Sequence, residues 1–525
     1  MARDKAGKLG EILVATSLIT QEQLNKAIET QAVTGQRLGR ILIEQGAATE
    51  DDVAWALSTQ LMYPYVYLSR QSIDDEAVRL LPEALLRERH ILPIHQFGQQ
   101  VTLAMADPTD QRTVDEVATQ TGLHVNRAVA LESNIEEMLR QLPAKRPKTA
   151  RSRPGGTEAQ YLQFHLLHAL QEGATEIHFG PAIDGQHRVR YRLQGILVDR
   201  AGHPRDFHEG LIRYLGEFVG LDDGASGAAA TSVTVGDFEA RAAVSIVPAV
   251  SGPAATVSIY PYREGAPDLL PLGIEPGLLE SFRRALDKAR GAVIVGCTDP
   301  LVRATLIQAM LPKDHRRKVW TIETLPVYRN PWIVQTPIAS SRDAKTFLGG
   351  AFRMGADVLA VDDASHAPTL VSALEWARMR TLVLGYPQGD LVALVAEALE
   401  AAGGPLVAST LTGVLAARRI RLLCPGCKER LRAAAGSATP RHTFAPRGCA
   451  ACGFTGFRGF RVLTAAWFAG KDDRDRWRGG RAGSREFGLA RLGRAVGGTM
   501  RVQAHALVDD GLTSLEELCR VLEDV

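Results

Sequence analysis

The chain has 525 residues, of which 45% are hydrophobic and 23% are charged, and its formal net charge is +2 at pH 7. This length predicts about three or four domains with substantial cores. Six cysteines are too few for a disulfide scaffold of this size. The sequence has no apolar run of about 18 residues and no signal-peptide core, so we predict a cytoplasmic protein without a membrane span. The charge balance by itself indicates no particular partner, and we predict no nucleic-acid binding.

The first 62 residues contain an internal repeat. Lys8-Leu9-Gly10-x-x-Leu13 recurs as Arg37-Leu38-Gly39-x-x-Leu42, and a helix follows each copy. Two related half-sites suit a ligand with two equivalent halves, whose phosphates contact basic side chains and backbone N–H groups and whose bases contact leucines and a glutamine. The alternative is a helical repeat with a leucine core and no ligand. The candidate ligand-binding residues are Lys8, Leu9, Gly10, Leu13, Leu24, Ile28, Gln31, Arg37, Leu38, Gly39, Leu42, Gly46, Val53, Leu57 and Gln60.

Hydrophobic periodicity divides the rest of the chain into further domains. We predict a small α/β unit over residues 63–142, a mobile basic Pro/Gly linker over 143–157 and a middle α/β domain with a mixed sheet over 158–268. Apolar strands and helices alternate over 269–470, which favours a buried parallel sheet. Helices are predicted again within 471–525. The fold class is therefore multidomain α/β with a helical repeat domain at the N-terminus.

The stretch Gly291–Met310 has the outline of a phosphate-binding loop, with an apolar strand, Gly296, a short turn and an apolar helix. A working loop reads G-x-x-x-x-G-K-[ST], in which the lysine meets phosphate charge and the hydroxyl holds Mg²⁺. Counted from Gly296, the second glycine falls on Leu301, the lysine on Val302 and the hydroxyl on Arg303. We predict a P-loop core that keeps its frame and has lost its catalytic groups.

The same loop retains groups for weak nucleotide binding. Arg303 would supply a cation at the start of the helix, and Gly296 and Thr298 would contribute from the turn. The alternative is that Arg303 is a surface residue with no role in the loop.

Two C-x-x-C pairs, Cys424-Pro-Gly-Cys427 and Cys449-Ala-Ala-Cys452, lie in glycine-rich segments within residues 416–462. Thiolates at this spacing close a tetrahedral Zn²⁺ site with no open position, so we predict a structural zinc. The alternative is a set of free or redox-active thiols.

Taken together, these motifs resemble the type II secretion/type IV pilus assembly ATPase family along nearly the whole chain. The repeat is similar to the family's [RK]-L-G-x-x-L-x-x-x-G followed by L-x-x-x-L-x-x-Q, and the four-cysteine module matches its zinc-bearing segment. The stretch Arg188-Val-Arg-Tyr-Arg-Leu is close to the family's R-V-R-Y-R-I. The resemblance implies a RecA-like core, and it implies cyclic-di-GMP as the ligand of the repeat.

Further expectations follow from the resemblance alone. Arginines of the family's middle domain reach the nucleotide, so Arg190 and Arg192 become weak nucleotide-binding candidates; the alternative is that both are solvated on one strand face. The family assembles as hexamers. The implied partners are homologous motor subunits and an inner-membrane platform protein, with the membrane reached only by docking.

The resemblance also locates departures from an active motor. Glu323 of the family's Asp box is kept, but Thr324 replaces the aspartate. Asp363 occupies the place of the catalytic glutamate, and Gln388 that of the histidine that senses the γ-phosphate. Because the loop lysine and hydroxyl are lost as well, no catalytic set is intact.

We therefore predict a degenerate, non-hydrolysing homologue that acts as a cyclic-di-GMP-responsive regulatory or assembly subunit. It would hold structural zinc and would not turn over Mg·ATP. One alternative is a divergent but active ATPase that powers pilus extension or protein secretion. Another is a structural adaptor without a ligand.

Overall fold

A computed structural model of the chain describes residues 9–15, 18–36, 38–61, 63, 65–66, 68, 73–97, 99–141, 157–183, 186–203, 205–221, 226–235, 238–265, 267–288, 290–312, 316–431, 443–478, 489, 492 and 498–522. Lys8 and Arg37 of the predicted ligand set lie outside these residues, as does the predicted linker up to residue 156. The chain divides into two compact units, residues 1–259 with 447–456 and residues 260–446 with 457–525.

The first unit begins with four helices around an apolar core. They are α1 (Leu9–Ala15), α2 (Gln21–Thr34), α3 (Leu38–Glu44) and α4 (Glu50–Leu61). Thr20 begins α2 with a capping box, in which Thr20 Oγ1 accepts from Gln23 N at 3.2 Å and Gln23 Oε1 accepts from Thr20 N at 2.8 Å. Thr49 and Asp52 make the same pair of bonds before α4, at 3.2 and 2.9 Å. The capping threonines therefore start the long helix of each copy.

Two glycines bring the helices of each copy into close contact. A Cβ on Gly10 would lie 2.4 Å from Leu24 Cδ1, and a Cβ on Gly39 would lie 2.6 Å from Val53 Cγ1. The glycine and its partner stand at matching positions in the two copies, so the sequence repeat is also a repeat of packing.

A three-stranded sheet with flanking helices follows. Its elements are α5 (Asp75–Val78), α6 (Glu83–Arg89), β1 (Ile91–Phe97), β2 (Gln100–Met105), α7 (Gln111–Thr121), β3 (His124–Val129) and α8 (Glu132–Gln141). The strand order is β1-β2-β3, with the first pair antiparallel and the second parallel. Asp110 caps α7 by accepting from Thr113 N at 3.2 Å, and Gly122 ends the helix at a φ of 67°.

The remainder of the first unit is a six-stranded sheet with two helices. Its elements are α9 (Thr157–Glu172), β4 (Glu176–Ile183), β5 (Gln186–Leu193), β6 (Ile196–His203), α10 (Arg205–Val219), β7 (Gly227–Val235), β8 (Phe238–Val247) and β9 (Ala254–Pro261). The strand order is β6-β5-β4-β9-β8-β7. Along β5, the buried Val189, Tyr191 and Leu193 alternate with partly exposed arginines, as expected for a sheet with one covered face.

The second unit is built on a seven-stranded sheet in the order β14-β12-β15-β16-β11-β17-β20, where all neighbours are parallel except the last pair. Its strands are β10 (Arg263–Glu264), β11 (Gly291–Cys297), β12 (Val319–Glu323), β13 (Tyr328–Arg329), β14 (Ile333–Pro337), β15 (Val358–Val361), β16 (Thr381–Tyr386), β17 (Leu411–Leu423), β18 (Glu429–Leu431), β19 (Thr443–Ala445) and β20 (Phe457–Phe468). Its helices are α11 (Pro276–Leu286), α12 (Pro300–Met310), α13 (Ala344–Arg353), α14 (Ala367–Trp376), α15 (Leu391–Ala402), α16 (Gly404–Thr410), α17 (Lys471–Arg478), α18 (Thr499–Asp509) and α19 (Leu515–Leu522).

Helices cover both faces of this sheet. In β11, Ala292 and Ile294 join one apolar cluster, whereas Val293 and Val295 join the cluster on the opposite face. The prediction of a buried parallel sheet, and with it a multidomain α/β fold, is confirmed.

The described residues contain no single helix long and apolar enough to cross a membrane. One bent pair, Leu391–Ala402 with Gly404–Thr410, meets the length and composition test when its two helices are taken together, at an angle of 119°.

Candidate functional site

The predicted phosphate loop lies at the carboxyl end of β11, where the strand runs into Gly296 and α12 begins at Pro300. Gly296 has no room for a side chain, because a Cβ there would lie 2.3 Å from the carbonyl oxygen of Gln388. The backbone after β16 therefore sits against the loop. This placement is the frame that the sequence predicts for a phosphate-binding loop.

The first turn of α12 is capped by the side-chain carboxylate of Asp299. One carboxylate oxygen of Asp299 accepts hydrogen bonds from Leu301 N and Val302 N, both at 3.0 Å. The other oxygen lies 2.9 Å from NH1 of Arg419. A helix N-terminus attracts anions through its free N–H groups and its dipole, and here the capping side chain takes two of those N–H groups. Sequence reasoning missed Asp299, although an aspartate followed by a proline is a readable helix-start signal.

Arg303 points into the protein, and the expectation that it is a surface residue is wrong. It is 5% exposed. Its Nε donates to the carbonyl oxygen of Asp362 at 2.7 Å, and its NH1 donates to that of Cys297 at 2.8 Å. The two carbonyl oxygens at the strand ends are buried and need hydrogen-bond donors, and the guanidinium supplies them. The cation therefore joins the ends of β11 and β15.

Val302 takes the position of the lysine and is 2% exposed within the core. Thr298 is exposed in the turn. Among the described loop residues from Gly296 to Ala304, the only cationic side chain is that of Arg303, and it is bonded to backbone oxygens.

The acidic residues behind the loop are bound by neutral donors. Asp362 accepts hydrogen bonds from Thr324 N at 2.9 Å, Thr324 Oγ1 at 2.8 Å and Leu325 N at 2.9 Å. Burial raises the pKa of Asp362 above its usual value. The threonine that stands in place of the family's aspartate thus donates to a carboxylate.

Glu323 is 4% exposed, and its Oε1 accepts from Gln308 Nε2 at 3.1 Å and Gln335 Nε2 at 3.0 Å. Burial raises the pKa of Glu323 from 4.5 to about 7. A cavity of about 10 Å³ lies beside it, between α12 and the sheet, with room for about one water molecule.

The two remaining degenerate positions also have local partners. Asp363 Oδ1 accepts from Ser365 N at 2.9 Å, and its Oδ2 lies 3.9 Å from NH2 of Arg303. Gln388 Oε1 accepts from Gly389 N at 2.8 Å and Asp390 N at 3.1 Å, so this side chain closes its own turn. The structure thus brings most of the predicted positions together, but they bond to one another and to the backbone.

Arg190 and Arg192 lie in β5 of the first unit. Arg192 Nε donates to Glu176 Oε2 at 2.6 Å, and the same oxygen lies 2.7 Å from His178 Nε2. The hydrogen bond from His178 and those from Arg192 hold the pKa of Glu176 at about 2, against burial, so this carboxylate is ionised. Arg192 is thereby neutralised locally, and a nucleotide contact by either arginine stays a prediction.

In each C-x-x-C pair, Cys424 with Cys427 and Cys449 with Cys452, the two sulfur atoms lie within 4.8 Å of each other. The Sγ atoms of Cys449 and Cys452 are 3.8 Å apart. Zn–S bonds of about 2.3 Å in a tetrahedron place neighbouring sulfurs about 3.8 Å apart. Cys449 N and Gly456 N lie 3.2 and 3.3 Å from Cys452 Sγ and donate to it. The spacing within each pair is compatible with zinc.

The apolar candidates of the N-terminal repeat divide into two groups. Leu13, Leu24, Leu42 and Val53 are buried in the helical core, at 7% exposure or less. Ile28 is 47% exposed. The glycines at the start of each copy are explained by close helix packing. A ligand would therefore meet only part of the predicted set.

Comparison with known proteins places these sites in context. Residues 61–149 match the MshEN domain, and residues 156–520 match the type II/IV secretion system protein family. The type IV pilus assembly ATPase PilB of Myxococcus xanthus is 24% identical over 463 residues, which are 81% of this chain and 81% of PilB. Type II secretion system protein E of Xanthomonas campestris pv. campestris is 24% identical over 472 residues, 82% of each chain. The solved structure of MshE with cdg shares 32% sequence identity with this chain. The match covers 26% of this chain and 98% of the MshE chain, with a TM-score of 0.24.

Proposed function

This chain belongs to the type II/IV secretion system protein family, and we propose that within that family it is a non-hydrolysing regulatory or assembly subunit. It would act in the cytoplasm, on a pilus or secretion machine at the inner membrane. Its partners would be homologous motor subunits, in hexamer-type rings, and a membrane-embedded platform protein. The relatives named as pilus assembly ATPase and secretion protein E support this setting.

One observation supports the proposal that this chain does not hydrolyse ATP. The start of α12, where a nucleotide phosphate would need free N–H groups, is capped by the carboxylate of Asp299. Phosphoryl transfer needs cations and a metal placed against developing charge. Here the loop offers a carboxylate in front and a guanidinium turned to backbone oxygens behind. A triphosphate would find these N–H groups already bonded to a carboxylate that Arg419 fixes in place.

The alternative is a divergent ATPase that uses substituted residues. The decisive experiment measures Mg·ATP binding by calorimetry and phosphate release by the purified full-length chain. We expect neither to exceed the background of a buffer control. Phosphate release by the wild type that Asp363→Ala abolishes would establish the alternative instead. Asp343→Ala, at the start of α13, serves as the matched control because it lies outside the loop.

For the helical repeat we propose cyclic-di-GMP as the ligand. Two observations support it: the two copies repeat the same motif and the same packing, which suits a ligand with two equivalent halves, and MshE, solved with cdg, is 32% identical over nearly its whole solved length. The MshEN match begins where the repeat ends. A structural adaptor without a ligand is the competing hypothesis.

Calorimetric titration of cyclic-di-GMP into wild type and Arg37→Ala separates these hypotheses. Arg37 would contact a phosphate, so its loss should weaken binding by about tenfold or more. Arg40→Ala is the matched control, because Arg40 pairs with Glu44 in the same helix at 3.1 Å. Absence of binding to the wild type would favour the adaptor.

We propose that the four cysteines hold one structural zinc ion. The spacing of the sulfurs and the N–H groups directed at Cys452 support this assignment. Such a site would take no part in chemistry. For the second unit we propose a RecA-like core.

A further inference from the structure

His90 and two glutamates of α8 form a second group of metal-ligand type, away from the cysteines. His90 Nδ1 lies 3.4 Å from Glu132 Oε1 and 3.6 Å from Glu136 Oε1. One ligand atom from each residue lies within 4.8 Å of the other two. The glutamates are four residues apart and so share one face of the helix. His90 follows α6, where its backbone adopts φ 49° and ψ 53°.

The spacing of these atoms fits a tetrahedral ion better than it fits direct hydrogen bonds. Metal–ligand bonds of about 2.0–2.2 Å place neighbouring ligand atoms roughly 3.3–3.6 Å apart in a tetrahedron. Both observed separations are close to that range. They are long for a charge-assisted N–H···O bond, which is about 2.7–2.9 Å.

The surroundings of His90 Nδ1 point the same way. This atom is shielded from solvent, and no hydrogen-bond partner for it occurs in the described part of the chain. Its ring nitrogen is therefore directed at the two carboxylates without bonding to either. In the tautomer that has its lone pair on Nδ1, this atom has no donor to accept from, and a metal ion bound to Nδ1 would take that place.

The two carboxylates are 60% and 52% exposed, and among the described residues neither pairs with an arginine or lysine. Nearby arginines are engaged elsewhere: Arg89 pairs with Glu116, Arg87 with Glu83 and Arg140 with Glu137. Across the described residues, Glu132 and Glu136 have ion pairs with His90 alone. Two carboxylates facing one imidazole leave a net negative charge, which favours a divalent cation.

We propose that His90, Glu132 and Glu136 bind a divalent transition-metal ion, with Zn²⁺ as the best match to one imidazole and two carboxylates. Water would complete the coordination. The ion would fasten the end of α6 to the start of α8. This site is independent of the proposed regulatory function and of the four-cysteine cluster.

The test compares the zinc content at saturation of the full-length chain with that of a variant carrying His90→Asn, Glu132→Gln and Glu136→Gln. Asparagine tolerates the left-handed backbone of position 90, so the fold should survive. We expect the variant to bind one equivalent fewer of Zn²⁺ than the wild type. Single changes should weaken the second binding event by about 10- to 100-fold in calorimetry.

Glu137→Gln is the matched control, since Glu137 lies on the same helix and pairs with Arg140. Circular dichroism and melting in the presence of EDTA establish that each variant is folded. Equal zinc content in wild type and triple variant overturns the proposal. An equal loss in Glu137→Gln also overturns it, because the effect would then be general surface charge.

Discussion

Arg419 and Asp299 lie 120 residues apart in the sequence, yet Arg419 NH1 is 2.9 Å from Asp299 Oδ2. The guanidinium also lies over the ring of Phe460, 4.2 Å from its centroid. Strand β17 thus supplies a cation that fixes the carboxylate at the first turn of α12. The pair is partly shielded from water, so its attraction exceeds that of an exposed surface pair.

Rebuilding the loop should restore nucleotide binding. The substitutions Leu301→Gly, Val302→Lys and Arg303→Thr recreate G-x-x-x-x-G-K-T from Gly296, and Asp299→Gly removes the internal anion. We expect this fourfold variant to bind Mg·ATP in calorimetry at least about tenfold more tightly than the threefold variant that keeps Asp299. Binding of equal strength by the wild type would show that Asp299 is no barrier.

Removing the guanidinium of Arg303 should destabilise the core. Arg303→Met leaves the carbonyl oxygens of Cys297 and Asp362 without their buried donors, at a cost of about 1–3 kcal/mol each. Urea denaturation followed by tryptophan fluorescence measures the free energy of unfolding. Arg284→Met, on the exposed face of α11, should change it by less than about 0.5 kcal/mol. A change equally small for Arg303→Met would contradict the inward bonding.

Glu323 should make stability depend on pH. Its folded-state pKa, about 7, lies above the ordinary glutamate value of 4.5. The unfolded chain therefore releases this proton first, so the stabilisation is complete below about pH 4.5 and is lost as pH rises through 7, by up to about 3 kcal/mol. Denaturation curves of Glu323→Gln, which mimics the protonated acid, should lack this component. The exposed Glu275→Gln should retain it. A wild-type profile identical to that of Glu323→Gln would refute the assignment.

The paired glycines of the helical repeat should tolerate no side chain. Gly10→Ala and Gly39→Ala place a Cβ against Leu24 and Val53, and each should destabilise the helices by about 1–3 kcal/mol. Hydrogen exchange of α1–α4 in the full-length chain would report the loss of protection. Gly277→Ala, in open space at the start of α11, is the control. Gly10→Ala should be relieved by Leu24→Ala, and a failure of rescue would point to a cause other than packing.

The cysteine cluster should bind one zinc ion per chain. Cys449→Ser should lose the one zinc equivalent held by the cysteines after dialysis and expose their thiols to thiol reagents, because three thiolates close the site poorly. Cys519→Ser, at an exposed cysteine, should retain the metal. Elemental analysis of both variants decides the matter. Zinc-free wild-type protein with four reactive thiols would favour the redox alternative.

Much of the architecture follows from patterns that are local in the sequence. The threonine caps, the apolar alternation and the spacing of the cysteine pairs each predict structure within a few residues, and the structure has all three. The direction of Arg303 could not be predicted in this way, since its acceptors belong to Cys297 and to Asp362, which lies 59 residues further along.

In the helical repeat, the sequence alone could not distinguish residues that bind a ligand from residues that pack in the core. Its leucines and glycines fit both a ligand surface and a packed core, because apolar contact and close backbone approach serve either purpose. The helices turn Leu13 and Leu42 inward, to 0% exposure. The role of each residue depends on which face the neighbouring helix covers, and a repeat in one sequence does not specify that face.

A phosphate group comes and goes with the energy state of the cell, but the carboxylate of Asp299 is joined to the backbone it caps. If the proposed function is correct, the N–H groups at the start of α12 stay bonded to Asp299 at every concentration of adenine nucleotide. If rings containing this chain form, its position in the ring would keep one fixed shape while neighbouring subunits cycle.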